Sequence, residues 1–308
     1  MDGSQRKYLA SYMIDAWRRR QDEDLHAQVY HDPICESPEV TFQFEQSTQI
    51  HRFAFGNTPF NSTEADAMMN DKWRFYETTN DALRFPYTDA IAKKSNQSDA
   101  DIAKDIKAKI NDPEHVFSLP IVLKPNNGSL SQDVFIVDDE EKLTQAIHTI
   151  RQNRDRGDKM LVQQYMGDEN GPYPEVRAIC LDGESQIVYT KNVEHATPGS
   201  RANPSYWAGS LPVEVEDPKI IDQIDRIASH LHEAHDVQYV AFDLKVDRNG
   251  GVWILEANSS PMGLERVERE MNNGPEKIRQ LTDRMIDKIK SDSTTTSHDR
   301  NDQALEMG

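Results

Sequence analysis

Three oxygen-bearing side chains near the C-terminal end, Asp243, Glu256 and Asn258, carry the strongest chemical signal in the sequence. They sit in two apolar runs, YVAFDLKV and VWILEANSSP, joined by the turn-forming string Asp247-Arg248-Asn249-Gly250-Gly251. The runs read as antiparallel strands over 238–247 and 251–257. Glu256 and Asn258 are two apart and so share a face, and antiparallel pairing can bring Asp243 beside them. Two carboxylates and an amide oxygen converging on one point make a hard-oxygen site suited to Mg²⁺. Apolar neighbours on both sides (Val240, Phe242, Leu244, Val252, Ile254, Leu255) argue for burial. A buried carboxylate is costly unless it is paired or metal-bound. An ordinary hairpin with a solvated polar face is the alternative these residues leave open.

A second signal is Leu123-Lys124-Pro125 followed by Asn126-Asn127-Gly128-Ser129-Leu130-Ser131. A strand over 121–124 ends in a lysine, and a loop of small residues follows. Backbone N–H groups and hydroxyls of such a loop can approach phosphate oxygens while the lysine supplies charge. A plain turn fits the same residues. Glu175 and Arg177 are also two apart on a strand, either as site groups or as a solvated pair. The histidines of His230-Leu231-His232-Glu233-Ala234-His235 lack the i, i+4 spacing of a helical metal pair and read as solvated.

The elements that must position these groups follow from periodicity. An amphipathic helix is expected over 5–30, strands over 40–44 and 50–55, and helices over 64–80 and 97–111. From 121 the pattern changes to strands at 121–124, 133–137, 160–166, 174–181 and 186–191, with a helix capped by Asp138 or Asp139 and running to 153. Residues 192–215 read as irregular, 217–234 as a helix with an isoleucine-rich stripe, and 263–290 as helical. The tail over 291–308 has too few apolar residues to offset its ordering entropy and is expected to be disordered.

Composition narrows the function classes. The chain of 308 residues carries 53 acidic and 35 basic side chains, a formal net charge of -18. This argues against a sequence-independent nucleic-acid binder, which needs cations to replace phosphate counterions. Its two cysteines, Cys35 and Cys180, fit neither a metal spacing nor a disulfide framework, as in a reducing cytoplasm. No apolar run reaches the length of a signal peptide or a membrane span. A soluble cytoplasmic protein is expected, and a homodimer is left open.

In motif order, residues 70–290 resemble the ATP-grasp fold, above all D-alanine–D-alanine ligases and RimK-type glutamate ligases. The order is Asn70-Asp71-Lys72, then LKPNNGSLS, LVQQYM, GPYPEVRAICLDG, FDLKV and LEANSSP. The resemblance implies an α+β fold in which two lobes grip ATP. It divides the chain into a reduced N-terminal region (1–65, helix plus hairpin), a small lobe and linker (66–160), a C-terminal lobe with the metal site (161–290) and the tail. The family usually has an N-terminal α/β domain of about a hundred residues that helps form the substrate site, and here only the short N-terminal region stands before Lys72.

Residue by residue, the resemblance implies that Lys72 and Lys124 bind the nucleotide, with Lys124 on the phosphates. Ser129 and Ser131 lie in the loop that covers the phosphates. Gln163, Gln164, Tyr165 and Met166 form the hinge at the adenine edge; the position of Gln164 is usually glutamate in RimK-type relatives. Glu175 binds the ribose hydroxyls, Arg177 faces the transferred phosphate, and Lys191 reaches the phosphates or lies on the surface. Asp243, Glu256 and Asn258 hold Mg²⁺, with two ions expected and Mn²⁺ as a substitute. Arg201 and Asn203 resemble an Arg-x-Asn substrate loop, where Arg201 could clamp a carboxylate. Ser260, beside Ser259, could face the acceptor.

The implied reaction joins a carboxylate to an amine through an acyl phosphate, releasing ADP and phosphate. Its partners are ATP, a small-molecule or peptide carboxylate, and an amine acceptor. Two other readings remain: modification of a protein or ribosomal peptide by glutamate addition or macrocyclisation, and a nucleotide-binding regulator without catalysis. The intact Lys124, Arg177, Asp243, Glu256 and Asn258 speak against the last.

Overall fold

The computed structural model describes residues 8–31, 38–45, 47–93, 96–110, 118–128, 133–152, 158–168, 171–191 and 212–306. Helix α1 (Leu9–Arg20) buries Leu9, Ala10, Met13, Ile14 and Ala16 and stops at Gln21, which is left-handed with φ 52°. From sequence this helix runs to residue 30. The structure instead forms strand β1 (Leu25–His31), because Leu25, Ala27 and Val29 alternate with polar residues and turn one face to the core. β1 pairs antiparallel with β2 (Pro38–Phe44), and β2 with β3 (His51–Ala54), so the expected hairpin is two strands of a three-stranded sheet.

The helix expected over 64–80 is two helices, α2 (Thr63–Met69) and α3 (Lys72–Thr79). Asp71 divides them: its side chain accepts from the Arg74 N–H and caps a new helix that begins at Lys72. Both helices contribute to a core shared with the large sheet described below, through Ala65, Met68, Met69 and Phe75.

The small lobe follows as β4 (Thr88–Ala92), α4 (Asp99–Ile110), β5 (Ile121–Pro125), β6 (Phe135–Val137), α5 (Glu140–Gln152) and β7 (Lys159–Gln164). Its sheet has the order β4-β7-β5-β6, all antiparallel, and packs Ile121, Leu123, Val137 and Val162 with Ile102 and Ile106 of α4 and Ile147 of α5. The lobe boundary expected at 160 lies within the span of β7, which pairs with β4 as far as Gln163 and with β5 as far as Gln164.

After the two-residue strands β8 (Gly167–Asp168) and β9 (Gly171–Pro172) come β10 (Glu175–Leu181), β11 (Glu184–Lys191), β12 (Pro212–Glu214), α6 (Pro218–His235), β13 (Tyr239–Val246), β14 (Val252–Asn258), α7 (Leu264–Glu270) and α8 (Gly274–Glu306). The large sheet has the order β12-β11-β10-β13-β14. Alternation along β10 and β13 sends Val176, Ala178, Cys180, Val240, Phe242 and Leu244 to the face covered by α6. Ile179, Leu181, Tyr239 and Ala241 go to the other face, into one core with α1, the N-terminal sheet, α7 and α8. The β13–β14 turn is as read from sequence: Asp247 accepts from the Asn249 and Gly251 N–H groups, and Gly250 takes φ +78°, which favours glycine.

The segment over 291–306, expected to be disordered, continues α8. Ile286 and Ile289 anchor the helix in the core, and Ser293 Oγ, buried there, donates to the Ile289 carbonyl. Propagating an anchored helix costs far less than nucleating one. Among the described residues no helix is long and apolar enough to cross a membrane.

Since the N-terminal sheet and the large lobe share one core, they should unfold together. Phe53→Ala, which removes a fully buried ring of β3, is expected to cost about 3–5 kcal/mol. In urea titrations, near-UV and far-UV signals of this variant should shift to lower midpoint in step. An early transition confined to the N-terminal unit would show that the unit is independent.

Candidate nucleotide and metal site

Antiparallel register places Tyr189 of β11, Arg177 of β10, Asp243 of β13 and Glu256 of β14 side by side across four strands. Asn258 lies one step further along β14, opposite Ala241. The three oxygen-bearing groups read from sequence therefore share one face of the sheet. A bulge makes this compatible with the core: Asp243 pairs with Glu256 but Leu244 pairs with Ile254, leaving Leu255 extra. Strict alternation would put Ile254 on the same face as Glu256. With the bulge, Ile254 is fully buried under α6 while Glu256 turns to the cleft.

Charges on this face are paired. Arg177 Nη1 donates to both oxygens of Asp243 at 2.8 and 2.7 Å. Burial works most strongly against the guanidinium charge, but Asp243, Tyr189 and Glu256 together outweigh it, so Arg177 is held protonated above its usual range. Its Nε is buried with no hydrogen-bond partner among the described residues. One residue pair along, Glu175 lies opposite Lys245. Both are buried, with Nζ 3.7 Å from Oε2, and Lys245 Nζ also donates to the Tyr173 carbonyl at 2.9 Å.

Two lysines approach this row, Lys72 from α3, which packs on the large sheet, and Lys124 from the small lobe. Lys72, the first residue of α3, places Nζ 3.3 Å from Glu256 Oε2 and donates to the Gly128 carbonyl at 3.0 Å. Lys124, on β5, is 6% exposed. Its Nζ donates to Gln163 Oε1 at 3.0 Å and to the carbonyl of the bulged Leu255 at 3.4 Å. Burial is the main cause that brings its pKa down to about 8, with Lys72 adding to the effect and Glu256, Asp243 and Glu175 opposing it. At neutral pH the ammonium is still mostly protonated, and a nearby anion would raise its pKa back toward the ordinary lysine value.

Gln163 is the buried link between hinge and lysine: its Nε2 donates to Thr88 Oγ1 at 2.9 Å while its Oε1 receives Lys124. Gln164 turns away, accepting from the Ser118 N–H at 2.9 Å, and its own N–H donates to the Tyr87 carbonyl. Tyr165 and Met166 follow between β7 and β8, and the Met166 carbonyl receives the Tyr173 N–H at 3.1 Å. Ser260 N–H donates to Asn258 Oδ1, and Ser260 packs so tightly on Gly56 that a Cβ there would lie 2.7 Å from its Oγ. Lys191 ends β11 opposite Pro212. Ser129, Ser131, Arg201 and Asn203 lie outside the described residues.

Some contributors were not read from sequence. Asn126 is buried and its Oδ1 accepts the Trp73 N–H, a second cap on α3 that ties the phosphate-loop strand to Lys72. Tyr189 and Lys245 enter by register alone. The signal for Lys245 was a charged residue inside FDLKV at the same two-residue interval from Asp243 that separates Glu175 from Arg177.

Among the described residues no cluster of three His, Cys, Asp or Glu side chains could hold a metal. A cation here would rely on Asp243, Glu256 and the Asn258 amide, all hard oxygen donors. Each already receives an N–H donor, yet a carboxylate has about four lone-pair sites, so the set fits a divalent ion. Its charge beside Arg177 and Lys72 calls for an anion to arrive with it.

Two α+β lobes that meet through a lysine from one and a carboxylate row from the other define the ATP-grasp class. The sequence matches the RimK-like ATP-grasp domain over residues 90–282, and the chain belongs to this family of carboxylate–amine ligases. Ligases of this family use ATP and divalent metal. A search of curated proteins returns no match. Among solved structures, D-cycloserine synthetase DcsG is similar with TM-score 0.51 and 19% identity, over 71% of each chain. The D-alanine–D-alanine ligase of Bacillus anthracis, complexed with ATP, is similar with TM-score 0.53 and 15% identity, over 78% of this chain and 71% of that one. At these identities the likeness is one of fold.

Lys124 gives a pH test. Its folded pKa of about 8 lies below the ordinary lysine value, so between the two the unfolded chain binds the extra proton and stability rises with pH. Wild type should gain up to about 3 kcal/mol relative to Lys124→Met between pH 8 and pH 10.5, read from urea midpoints at each pH. Parallel profiles for the two proteins would contradict the assignment.

Proposed function

We propose that the protein phosphorylates a substrate carboxylate with ATP and passes the acyl group to an amine, releasing ADP and phosphate. The observation that carries this reading is the Arg177–Asp243–Glu256 row with Lys72 beside it and Lys124 reaching it from the small lobe. A free carboxylate resists amines because its oxyanion cannot leave. An acyl phosphate has a leaving group, and the amine attacks to give a tetrahedral oxyanion that collapses to the amide.

Each side chain has a task in this scheme. Lys124, whose charge an approaching anion stabilises, binds phosphate oxygens, and Lys72 exchanges Glu256 for the nucleotide. Gln163 keeps Lys124 aligned with the hinge, whose backbone over 163–166 meets adenine. Glu175 takes the ribose hydroxyls. Arg177, with Nε unengaged, donates to the phosphoryl group as charge builds, while Asp243 holds its plane. When bound to Asp243, Glu256 and Asn258, Mg²⁺ (two ions, or Mn²⁺ in their place) neutralises phosphate charge. Ser129 and Ser131 belong to the loop that excludes water from the acyl phosphate. The substrate is an amino acid or peptide, and the family resemblance assigns Arg201, Asn203 and Ser260 to its recognition.

The test is ADP release with pooled amino acids and short peptides at millimolar concentration. A carboxylate–amine pair should stimulate release, and EDTA should abolish it. Asp243→Asn combined with Glu256→Gln should lower turnover by about 100-fold or more with circular dichroism unchanged. Full ADP formation in that double variant would defeat the proposal.

A further inference from the structure

Lys245 is a charged side chain that the phosphate chemistry leaves unused, 5% exposed in the centre of the large sheet. A buried ammonium is retained at a cost unless its surroundings engage it. Its partners are specific: Glu175 Oε2 at 3.7 Å and the Tyr173 carbonyl at 2.9 Å. Glu175 is itself 3% exposed and stands directly opposite Lys245 in the β10–β13 register. Tyr173 in turn donates its N–H to the Met166 carbonyl. One ammonium therefore joins the hinge, the entry to β10 and the Glu175 carboxylate. On the next step of the ladder the order of charges is reversed, with Arg177 on β10 and Asp243 on β13. At 3.7 Å the Lys245–Glu175 contact is an ion pair and not a hydrogen bond, so Lys245 steers the Glu175 carboxylate by charge, toward one orientation of the kind that recognition of a vicinal diol requires.

We infer that Lys245 is a positioning residue for nucleotide selection, fixing Glu175 and the hinge as one piece so that the site distinguishes ribonucleotides from deoxyribonucleotides. This rests on the reading of Glu175 as the ribose acid. Lys245 touches no nucleotide in this account; it acts through Glu175 and Tyr173.

The experiment is calorimetric binding of ADP, 2′-deoxy-ADP and 3′-deoxy-ADP, with Mg²⁺, to wild type, Lys245→Met, Lys245→Gln, Lys245→Arg and Glu175→Gln. Wild type should prefer ADP by about tenfold or more, the scale of a hydrogen bond to a charged group. Lys245→Met should bring the three ligands to within about twofold of one another, and Lys245→Arg should restore part of the preference. Lys245→Gln can still donate to Tyr173 but lacks the charge; it stands in where Lys245→Met does not fold, and it too should bring the three ligands to within about twofold of one another. A uniform loss for all three ligands, with the wild-type ratio kept, would mean Lys245 is merely structural and would overturn the inference. Glu175→Gln separates the two levels. If it keeps the ADP preference, the ribose reading of Glu175 falls. If it abolishes the preference while Lys245→Met and Lys245→Gln keep it, only the role of Lys245 falls.

Discussion

The Arg177–Asp243 pair lies in the middle of the large sheet, and the arrangement around it follows from the cost of burying those two charges. A buried ion pair gains little net stability, but removing one partner strands the other in a low-dielectric setting. The fold meets this constraint with a ladder. Glu175 opposes Lys245, Arg177 opposes Asp243, and Glu256 is met by Lys72 of α3. Each acid has a cation within reach, and the polar half of the sheet face can exist beside a dry core formed by Ile179, Leu181, Tyr239 and Ala241.

The ladder holds only if register is exact at the end nearest the ligand. Sliding β14 by one residue against β13 would turn Glu256 and Asn258 into the α6 core and expose Ile254 and Ala257. Two features pin it. Asp247 closes the β13–β14 turn with its side chain, and the Leu255 bulge absorbs the mismatch between a two-residue repeat and the residues the core demands. The bulge also turns the Leu255 carbonyl to Lys124, so an irregularity in one lobe is the docking point of the other.

Much of this site was legible in the sequence because β-strands expose their faces in alternation. The pairs 175/177 and 256/258, and the tight Asp-Arg-Asn-Gly-Gly turn, were enough to place Asp243 beside Glu256. What was hidden depends on partners distant in the chain. β1 looked like a continuation of α1 because its alternating Leu25, Ala27 and Val29 follow directly on a helical stripe. β4 is short and built of small residues, and only its pairing with β7 makes it a strand. The break between α2 and α3 lay in Asp71, a capping residue inside an otherwise helical run. The length of the C-terminal helix was missed because composition does not report an anchor such as Ile286 or Ile289. The side-chain roles of Gln163 and Asn126 come from contacts across β5, β7 and α3, which no local pattern encodes.

The connection between the lobes has a mechanical consequence. The chain enters the small lobe just before β4 and leaves it at the end of β7, and these two crossings are hydrogen-bonded to each other, Gln164 N–H to the Tyr87 carbonyl at 2.9 Å. The small lobe is thus a door hung on a single hinge pin. A rotation of the small lobe about that point would carry Lys124 further than residues 163–166, which lie at the point itself. On the proposed reading of 163–166 as the segment that meets adenine, a base held there would keep its place through such a rotation, and retention of the base would be separable from exchange at the far end of the nucleotide.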